Sequence, residues 1–418
     1  MRRILGVVLG LAACGGGLER GATRCEEAPT VGRPDGTEVR RYQRSLRTAG
    51  DGTLTGDPVA VLLPDDVLGV SITVDGGPAI TAATRVTLDG RTVLDLHADP
   101  GFAQRRARVR PDDVATDTTG PDTFVASDTG WVGPVLDGSW TTPFYLQPVP
   151  AFTLTMPVSD ATVPWAGCLL VTPGASGDAG VGEVVVHVAT RRGSPEGPRV
   201  LDLAVITAGD TLVAEADLSS ALGRADALLR AADLSLGDVA RYAVDGPTRL
   251  PSSGEELGRV RATTLPGARG TAVPVILTEG FVDDPDTLGF AAGIPGPTVV
   301  HGTHGSAVVL SIAAHLDGGR LDASLLGETL AHEVMHQLAL FHTTEAGGSA
   351  FDDLDDTPRC PADRFDADGD GEVSAEECVD RDGQHAMFWI SGDLPQGRIS
   401  AEQGRVLRRQ PAARRPGE

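Results

Sequence analysis

The sequence lacks lysine entirely. All 35 basic residues are arginine, set against 58 aspartates and glutamates, for a formal net charge of -23. A nucleic-acid-binding surface needs a basic face, which this charge balance does not favour. Aromatic side chains make up only 4% of the 418 residues, so platforms for stacking single-stranded bases are scarce as well. We therefore expect no nucleic-acid partner.

Long apolar runs are also missing. Beyond the first fourteen residues, no segment reaches the roughly 18 uninterrupted apolar residues of a membrane-spanning helix. The hydrophobic content of 41% is nevertheless ordinary for a folded protein and excludes wholesale disorder. The length accommodates several domains. These features predict a folded, acidic, multidomain protein without a transmembrane helix.

The N-terminus has the pattern of an export signal. Arg2–Arg3 precede a short apolar stretch, and the string Leu11–Cys14 (LAAC) resembles the lipobox of bacterial lipoprotein signal peptides. This resemblance implies that residues 1–13 are removed and that Cys14 carries a lipid, with Gly15 favouring the outer membrane. The alternative is an ordinary secretory signal. Both interpretations predict an extracytoplasmic protein. The lipoprotein interpretation also predicts that the protein contacts the membrane through its lipid anchor only.

Four further cysteines remain after Cys14, an even number that suits disulfides in an oxidising compartment. Cys360 and Cys378 are close in sequence and bracket an acidic loop, so we expect them to pair. That leaves Cys25 with Cys168, a pairing for which the sequence offers less support.

Composition and residue patterning divide the chain into three parts. Residues 14–50 are rich in Gly, Arg and Glu and are predicted to be the lipidated cysteine followed by a flexible linker. Residues 51–195 hold short β-branched runs broken by Gly, Pro and Asp, which predicts an all-β, sandwich-like accessory domain. Residues 196–418 mix strand and helix patterns, which predicts an α/β (α+β) domain.

Within this last part, strands are expected at 200–207, 273–277 and 307–312. Apolar spacing predicts a helix over 218–229, and a long helix is expected to open near Ser324 as its N-cap.

That long helix carries the chemistry. His332 and His336 are four residues apart and so share one helix face, where two imidazoles can bind one ion. Glu333 lies beside the first histidine, where a carboxylate can take a proton from a metal-bound water. His342 follows ten residues after His332, about 15 Å along an unbroken helix. A shared ion therefore requires the helix to end after His336 and the chain to turn back.

The string from His332 to His342 resembles the metzincin signature H-E-x-x-H-x-x-G-x-x-H. The resemblance implies a metzincin-like catalytic domain in which all three histidines bind zinc and Glu333 is the general base for peptide-bond hydrolysis. Ala339 stands where the family has glycine. Glu345 is an alternative third ligand with less suitable spacing.

Two further strings extend the resemblance. Residues 384–389 (QHAMFW) match the family's methionine turn, with Met387 as the apolar floor of the zinc site. Residues 341–345 and 356–358 with Cys360, and upstream 293–297 with 301–303, are similar to the pappalysin-like branch and to predicted lipid-anchored proteases. The resemblance covers roughly 199–410. Ser400–Gln403 is a capping box that predicts a final helix, as the family has.

Residues 366–377 match the calcium-loop pattern D-x-[DN]-x-[DN]-G-x₅-E in full. The predicted ligands are Asp366, Asp368, Asp370, the Glu372 carbonyl, Ser374 through a water, and Glu377. The pattern shows no convincing flanking helices, so we expect a structural calcium ion and not a sensor.

The sequence thus predicts a lipid-anchored, extracytoplasmic zinc metalloendopeptidase that acts on proteins or peptides, as a monomer. The rival interpretation is a catalytically inactive, calcium-stabilised surface-binding lipoprotein of the same fold, for which Ala339 is the main evidence.

Overall fold

The structure is a computed structural model. It describes the following residues: 36–48, 54–76, 81–95, 151–156, 166–175, 182–194, 196–252, 255–261, 268–303, 305–352, 354–391 and 394–418. The predicted signal peptide, the lipidation site Cys14 and Cys25 lie outside these ranges.

The N-terminal part of the described chain is all β. Its strands are β1 (Gly36–Thr48), β2 (Leu54–Gly56), β3 (Val59–Leu63), β4 (Val67–Asp75), β5 (Thr81–Leu88), β6 (Arg91–Asp95), β7 (Ala151–Met156), β8 (Gly167–Ala175) and β9 (Glu183–Arg192). They form one antiparallel sheet in the order β6-β5-β8-β2-β1-β9-β4-β7, with β3 also paired to β8.

This sheet curls on itself. Apolar residues of β3, β5 and β8, towards one end, share a single hydrophobic cluster with those of β4, β7 and β9, towards the other. The expected sandwich is therefore only partly right. The two halves are joined through β1, which pairs with β9 over Gly36–Ser45 and with β2 over Leu46–Thr48.

Strand β1 corrects the prediction that residues 14–50 are a flexible linker, because its bounds lie inside that range. Its sequence alternates between half-buried and exposed positions, and Arg40, Tyr42 and Arg44 are among the half-buried ones. The aliphatic part of an arginine side chain can pack on a sheet while its guanidinium group stays solvated. A strand of this kind carries little hydrophobic signal in sequence.

The second sheet is mixed, and its first strand follows β9 closely in the sequence. Its strands are β10 (Arg199–Ala208), β11 (Leu234–Val244), β13 (Val273–Thr278), β15 (Gly289–Ala291) and β16 (Val308–Ser311), in the order β11-β10-β13-β16-β15. All neighbours are parallel except β15, an antiparallel edge strand. Two short pairs are β12 (Arg249–Leu250) with β14 (Gly280–Phe281), and β17 (Leu316–Asp317) with β18 (Arg320–Leu321).

The helices of the described chain are α1 (Glu215–Leu229), α2 (Glu255–Arg261), α3 (Ala323–Gln337), α4 (Ala362–Phe365) and α5 (Ala401–Arg409). Apolar residues of α1 and α3 share one cluster with inward residues of β10, β13 and β16. On the opposite face, Ile206, Ile276 and Val309 cluster with α2 and Phe281. The predicted strands and helices of this half are present, with helices on one face of the sheet and α2 on the other.

Helices α1 and α3 approach closely at Gly327. A Cβ added there would lie 2.4 Å from the Ala221 carbonyl oxygen, so only glycine fits. An ion pair between Arg224 and Glu328 (2.7 Å) stands beside this contact. The approach fixes α3, which carries the predicted metal ligands, against the core.

Other local predictions can be compared directly. The capping box at Ser400 and Gln403 opens α5, and the Cys360–Cys378 disulfide is present. Cys168 is disulfide-bonded as well. The cap of α3 was predicted at Ser324 and is instead Asp322, whose carboxylate accepts the backbone N–H groups of Ser324 and Leu325. No helix among the described residues is long and apolar enough to cross a membrane.

Candidate metal centre

Helix α3 ends where the predicted site begins. His332, Glu333 and His336 lie in its last two turns, and Glu333 and His336 are buried. After Gln337 the backbone leaves the helical conformation at Leu338. The helix therefore stops one residue beyond the second histidine, as a shared ion with His342 requires.

The reversal of the chain depends on Ala339, which adopts a positive φ of 74°. This is the left-handed region, where an alanine costs roughly 1 kcal/mol more than glycine. The turn forms nonetheless: the Ala339 N–H donates to the His336 carbonyl (2.9 Å) and the Leu340 N–H to the Met335 carbonyl (3.0 Å). The alanine at the family's glycine position thus keeps the left-handed backbone that the turn needs.

The turn brings the three histidines together. His342 Nε2 lies 3.2 Å from His332 Nε2 and 3.0 Å from His336 Nε2. Three nitrogens bound tetrahedrally to zinc at about 2.1 Å would be roughly 3.4 Å apart. The nitrogens are therefore spaced close to what a single zinc ion requires.

The other ring nitrogen of each histidine faces an acceptor. His332 Nδ1 is 2.7 Å from the Ala386 carbonyl, and His336 Nδ1 is 2.7 Å from the Leu340 carbonyl. His342 Nδ1 is 2.8 Å from Glu345 Oε2. These acceptors place the proton on Nδ1, so each Nε2 lone pair points to the common centre, as in metal-binding histidines generally.

Burial favours the neutral form of two of the three imidazoles, those of His332 and His336. Burial lowers the pKa of His332 to about 3, with the neighbouring His342 acting in the same direction. Burial also lowers the pKa of His336 well below its ordinary value. Neutral imidazole is the form that binds a metal ion. The three nitrogens, their orientation and the neutral form of His332 and His336 fit zinc.

Glu333 is buried beside these ligands, with 8% of its surface exposed. Burial raises its pKa to about 7, while nearby His342 and the backbone N–H of Ala291 act in the opposite direction. Ala291 belongs to the edge strand β15, so this strand borders the site. A carboxyl group whose pKa lies near neutral pH is suited to accept a proton and to return it.

Met387 is fully buried in the cluster that contains Leu330, Val334 and Leu338 of the α3 region. Its carbonyl accepts the N–H of Thr343, the residue after the third histidine. Met387 therefore lies in the core beside the histidine segment, without a ligand atom in the histidine group.

The predicted calcium loop is folded tightly. One carboxylate oxygen from each of Asp366, Asp368 and Asp370 lies within 4.8 Å of the others. Gly371 has a φ of 94°, as the sixth position of such a loop needs. Glu377 closes the loop by accepting the N–H of Ala367 (2.6 Å) and the N–H of Ser374 (2.8 Å).

Two predicted ligands of this loop have other contacts. The Glu372 N–H donates to Asp370 Oδ1 (2.9 Å), and the Ser374 hydroxyl donates to Glu377 Oε2 (2.9 Å). Three of the six predicted ligands therefore converge, and calcium binding by this loop stays a prediction.

Glu345 and two further histidines have other surroundings in the described chain. Glu345, the alternative ligand, contacts the outer nitrogen of His342 instead. His301 Nε2 is 2.7 Å from the Ala272 carbonyl, and His385 is buried, with burial lowering its pKa. His304 lies outside the described residues.

Several groups at this centre could not be predicted from the sequence. The carbonyls of Leu340 and Ala386 orient two ligands, and the Ala291 N–H faces the candidate base. Backbone groups carry no residue-type signal. Glu345 was visible, but its role as an acceptor behind His342 was not.

Comparison with known proteins adds little to this geometry. No protein-family model matches the sequence, and a search of curated proteins finds no match. Among solved structures, the chain is similar to metalloproteinase-II from Bacteroides fragilis, at 16% identity and a TM-score of 0.25 over 38% of this chain and 53% of that one. It therefore spans about half the length of that enzyme.

The chain is also similar to an archaemetzincin from Methanopyrus kandleri, at 18% identity and a TM-score of 0.26, over 52% of this chain and 89% of that one. Scores this low do not establish a shared fold. The function has to be inferred from the site.

Proposed function

We propose that this protein is a zinc-dependent metalloendopeptidase of metzincin type. The observation that carries the proposal is the convergence of three Nε2 atoms, from His332, His336 and His342, with Glu333 buried beside them. The residue types, spacing and outward hydrogen bonds match a catalytic zinc site with one open position.

When bound, zinc lowers the pKa of a water and polarises the scissile carbonyl. Glu333 accepts the proton of the attacking water and later returns it to the leaving amine. His342 is held by Glu345 on its outer side, so its ring stays fixed through both steps. The substrate is a protein or peptide, and the chain acts as a monomer.

The test is Glu333→Gln, which keeps the size of the side chain and removes the base. The wild type should hold about one zinc per chain and cleave casein until a chelator is added. The variant should keep zinc and lose activity by about 10²–10⁴-fold. Glu328→Gln, on the same helix but beside Arg224, is the matched control. Cleavage that persists in Glu333→Gln would sink the mechanism.

We further propose that the protein is exported and anchored to the bacterial envelope, in the outer membrane, through lipid on Cys14. The support is the LAAC string at residues 11–14 and the short apolar stretch before it. Labelling with a tagged fatty acid should mark the wild type. Cys14→Ala should lose the label and be released from membranes, and an equally labelled variant would refute the anchor.

The loop at residues 366–377 is proposed to bind a structural Ca²⁺ ion. The support is the complete sequence pattern and the convergence of Asp366, Asp368 and Asp370. Val373 connects this loop to the zinc site region: its N–H donates to the Ala346 carbonyl (2.8 Å), next to Glu345. Calcium would thus stabilise the segment that holds His342.

The alternative is a catalytically inactive, calcium-stabilised surface-binding lipoprotein. Ala339 in place of glycine is the observation that favours it, because a strained turn can loosen the third ligand. This alternative predicts zinc-free or inert protein. Metal analysis and the casein assay separate the two.

A further inference from the structure

The segment between the second and third histidines lies between two hydrophobic cores. Leu338 and Leu340 belong to the cluster of α1, α3 and Met387. Ala339 and Phe341 belong instead to the cluster of the N-terminal sheet, with Val61, Ile72 and their neighbours. Alternate residues of this short stretch, which contains the left-handed turn at Ala339, therefore pack into different cores.

The burial on the N-terminal side is nearly complete. Ala339 has no exposed surface, and Phe341 retains 9%. The sheet thus covers the one residue whose backbone is strained at this centre, with a φ of 74°. Strained backbone persists only where its surroundings over-determine it.

A second segment near the site packs against the same cluster. Ile294 packs against the N-terminal cluster, three residues after Ala291, whose N–H faces Glu333. The segment around Ile294 is tied to the end of α3, since the Gly296 N–H donates to the Gln337 carbonyl (3.2 Å). One apolar surface therefore supports both the third-ligand turn and the segment that follows edge strand β15.

The backbone of this turn also positions His336, one of the proposed ligands. The Leu340 carbonyl accepts the Nδ1 hydrogen of His336 (2.7 Å), and His342 follows Phe341 directly. A shift of Phe341 out of the N-terminal cluster would move the acceptor of one ligand and the backbone of another.

We infer that the N-terminal sheet is a permanent part of the catalytic unit, and that Phe341 is a positioning residue through which the sheet fixes the geometry of the zinc ligands. The inference rests on the proposed function for its zinc readout, but its structural readout does not need the metal.

The test compares Phe341→Ala with Leu154→Ala in the full chain. Leu154 is a fully buried member of the same cluster on β7, at the edge of the sheet. Both substitutions empty the cluster of a large side chain, but only the first lies next to a ligand. Phe341→Leu is the conservative variant.

Hydrogen exchange in metal-free protein is the first measurement. The amides of Ala339 and Leu340 should exchange at least about tenfold faster in Phe341→Ala after correction for global unfolding, and within about twofold of wild type in Leu154→Ala. Phe341→Leu should restore most of the protection. Equal protection in Phe341→Ala and Leu154→Ala would overturn the inference.

Zinc affinity and the absorption spectrum of the cobalt-substituted protein are the second measurement. Phe341→Ala should bind zinc about tenfold more weakly and shift the cobalt spectrum, as loss of ligand support does elsewhere. Unchanged affinity and spectrum would also overturn the inference. If the wild type binds no zinc, the proposed function fails, and the exchange experiment still decides the role of Phe341.

Discussion

His342 Nδ1 and Glu345 Oε2 form a hydrogen bond of 2.8 Å between two buried side chains. The carboxylate lies three residues after this histidine, on the side of the ring away from the other two histidines. It fixes the tautomer of His342 and increases the basicity of the nitrogen that faces the other two histidines.

Removal of this carboxylate should weaken metal binding. We expect Glu345→Ala to lower zinc affinity by about 10–100-fold, because the ring of His342 loses its orientation and its charged partner. Competition with a chromogenic chelator measures this. Glu402→Ala, which removes a carboxylate near Arg405 on α5, is the control. Equal affinity in wild type and Glu345→Ala would mean that the carboxylate does not support the ligand.

Substitutions at Ala339 should separate backbone strain from packing. Ala339→Gly relieves roughly 1 kcal/mol of left-handed strain but removes a buried methyl group worth about 0.8 kcal/mol. The free energy of unfolding should therefore change by less than about 1 kcal/mol.

Ala339→Val should destabilise by about 2 kcal/mol or more, since a β-branched residue at positive φ is an outlier and the site is fully packed. Urea unfolding of both variants measures this. A tolerated valine would show that the turn can rearrange.

Calcium should stabilise the wild type and not a variant without the closing carboxylate. Glu377 supplies the bidentate position of the pattern, so Glu377→Gln is expected to lose most of the calcium-dependent rise in melting temperature. Glu376→Gln, at the adjacent exposed position outside the ligand pattern, should keep it. A rise that is equal in the two variants would contradict a calcium site in this loop.

Asp352 should make stability depend on pH. Its carboxyl is buried, with the Thr357 hydroxyl donating to Oδ1 at 2.5 Å. Burial raises the pKa of Asp352 to about 7, Asp382 acts in the same direction, and Thr357 and Arg359 oppose it. The folded chain therefore prefers the protonated form. This contribution to stability is present below about pH 4 and is lost as the pH rises through about 7.

Between about pH 5 and pH 8 the loss from this group has an upper limit of about 3 kcal/mol. Asp352→Asn should show a correspondingly shallower decline in urea unfolding over that range. Parallel pH profiles for the two proteins would show that Asp352 does not titrate as its burial implies.

The sequence was most informative where the chemistry is local. The spacing of His332 and His336, the capping box at Ser400 and the pairing of Cys360 with Cys378 each involve residues near one another in the chain, and the structure has the corresponding elements. Short-range geometry is set by helix periodicity, cap chemistry and loop length, all of which can be read from residue types.

What the sequence did not reveal depends on distant parts of the chain. Strand β1 was hidden because its half-buried positions include arginines, and its pairing with β9 is set by residues far along the sequence. The alternation of Leu338 to Phe341 between two cores is a tertiary property as well. Backbone acceptors such as the Ala386 carbonyl leave no trace in residue type.

The hydrogen bond from His332 to the Ala386 carbonyl joins positions 54 residues apart. During synthesis the histidine pair of α3 leaves the ribosome well before its acceptor does. A nascent chain that ends before Ala386 therefore has a His332 ring whose tautomer this acceptor does not yet fix. For the proposed zinc site, tight binding would then come only after the C-terminal segment has docked onto the helix.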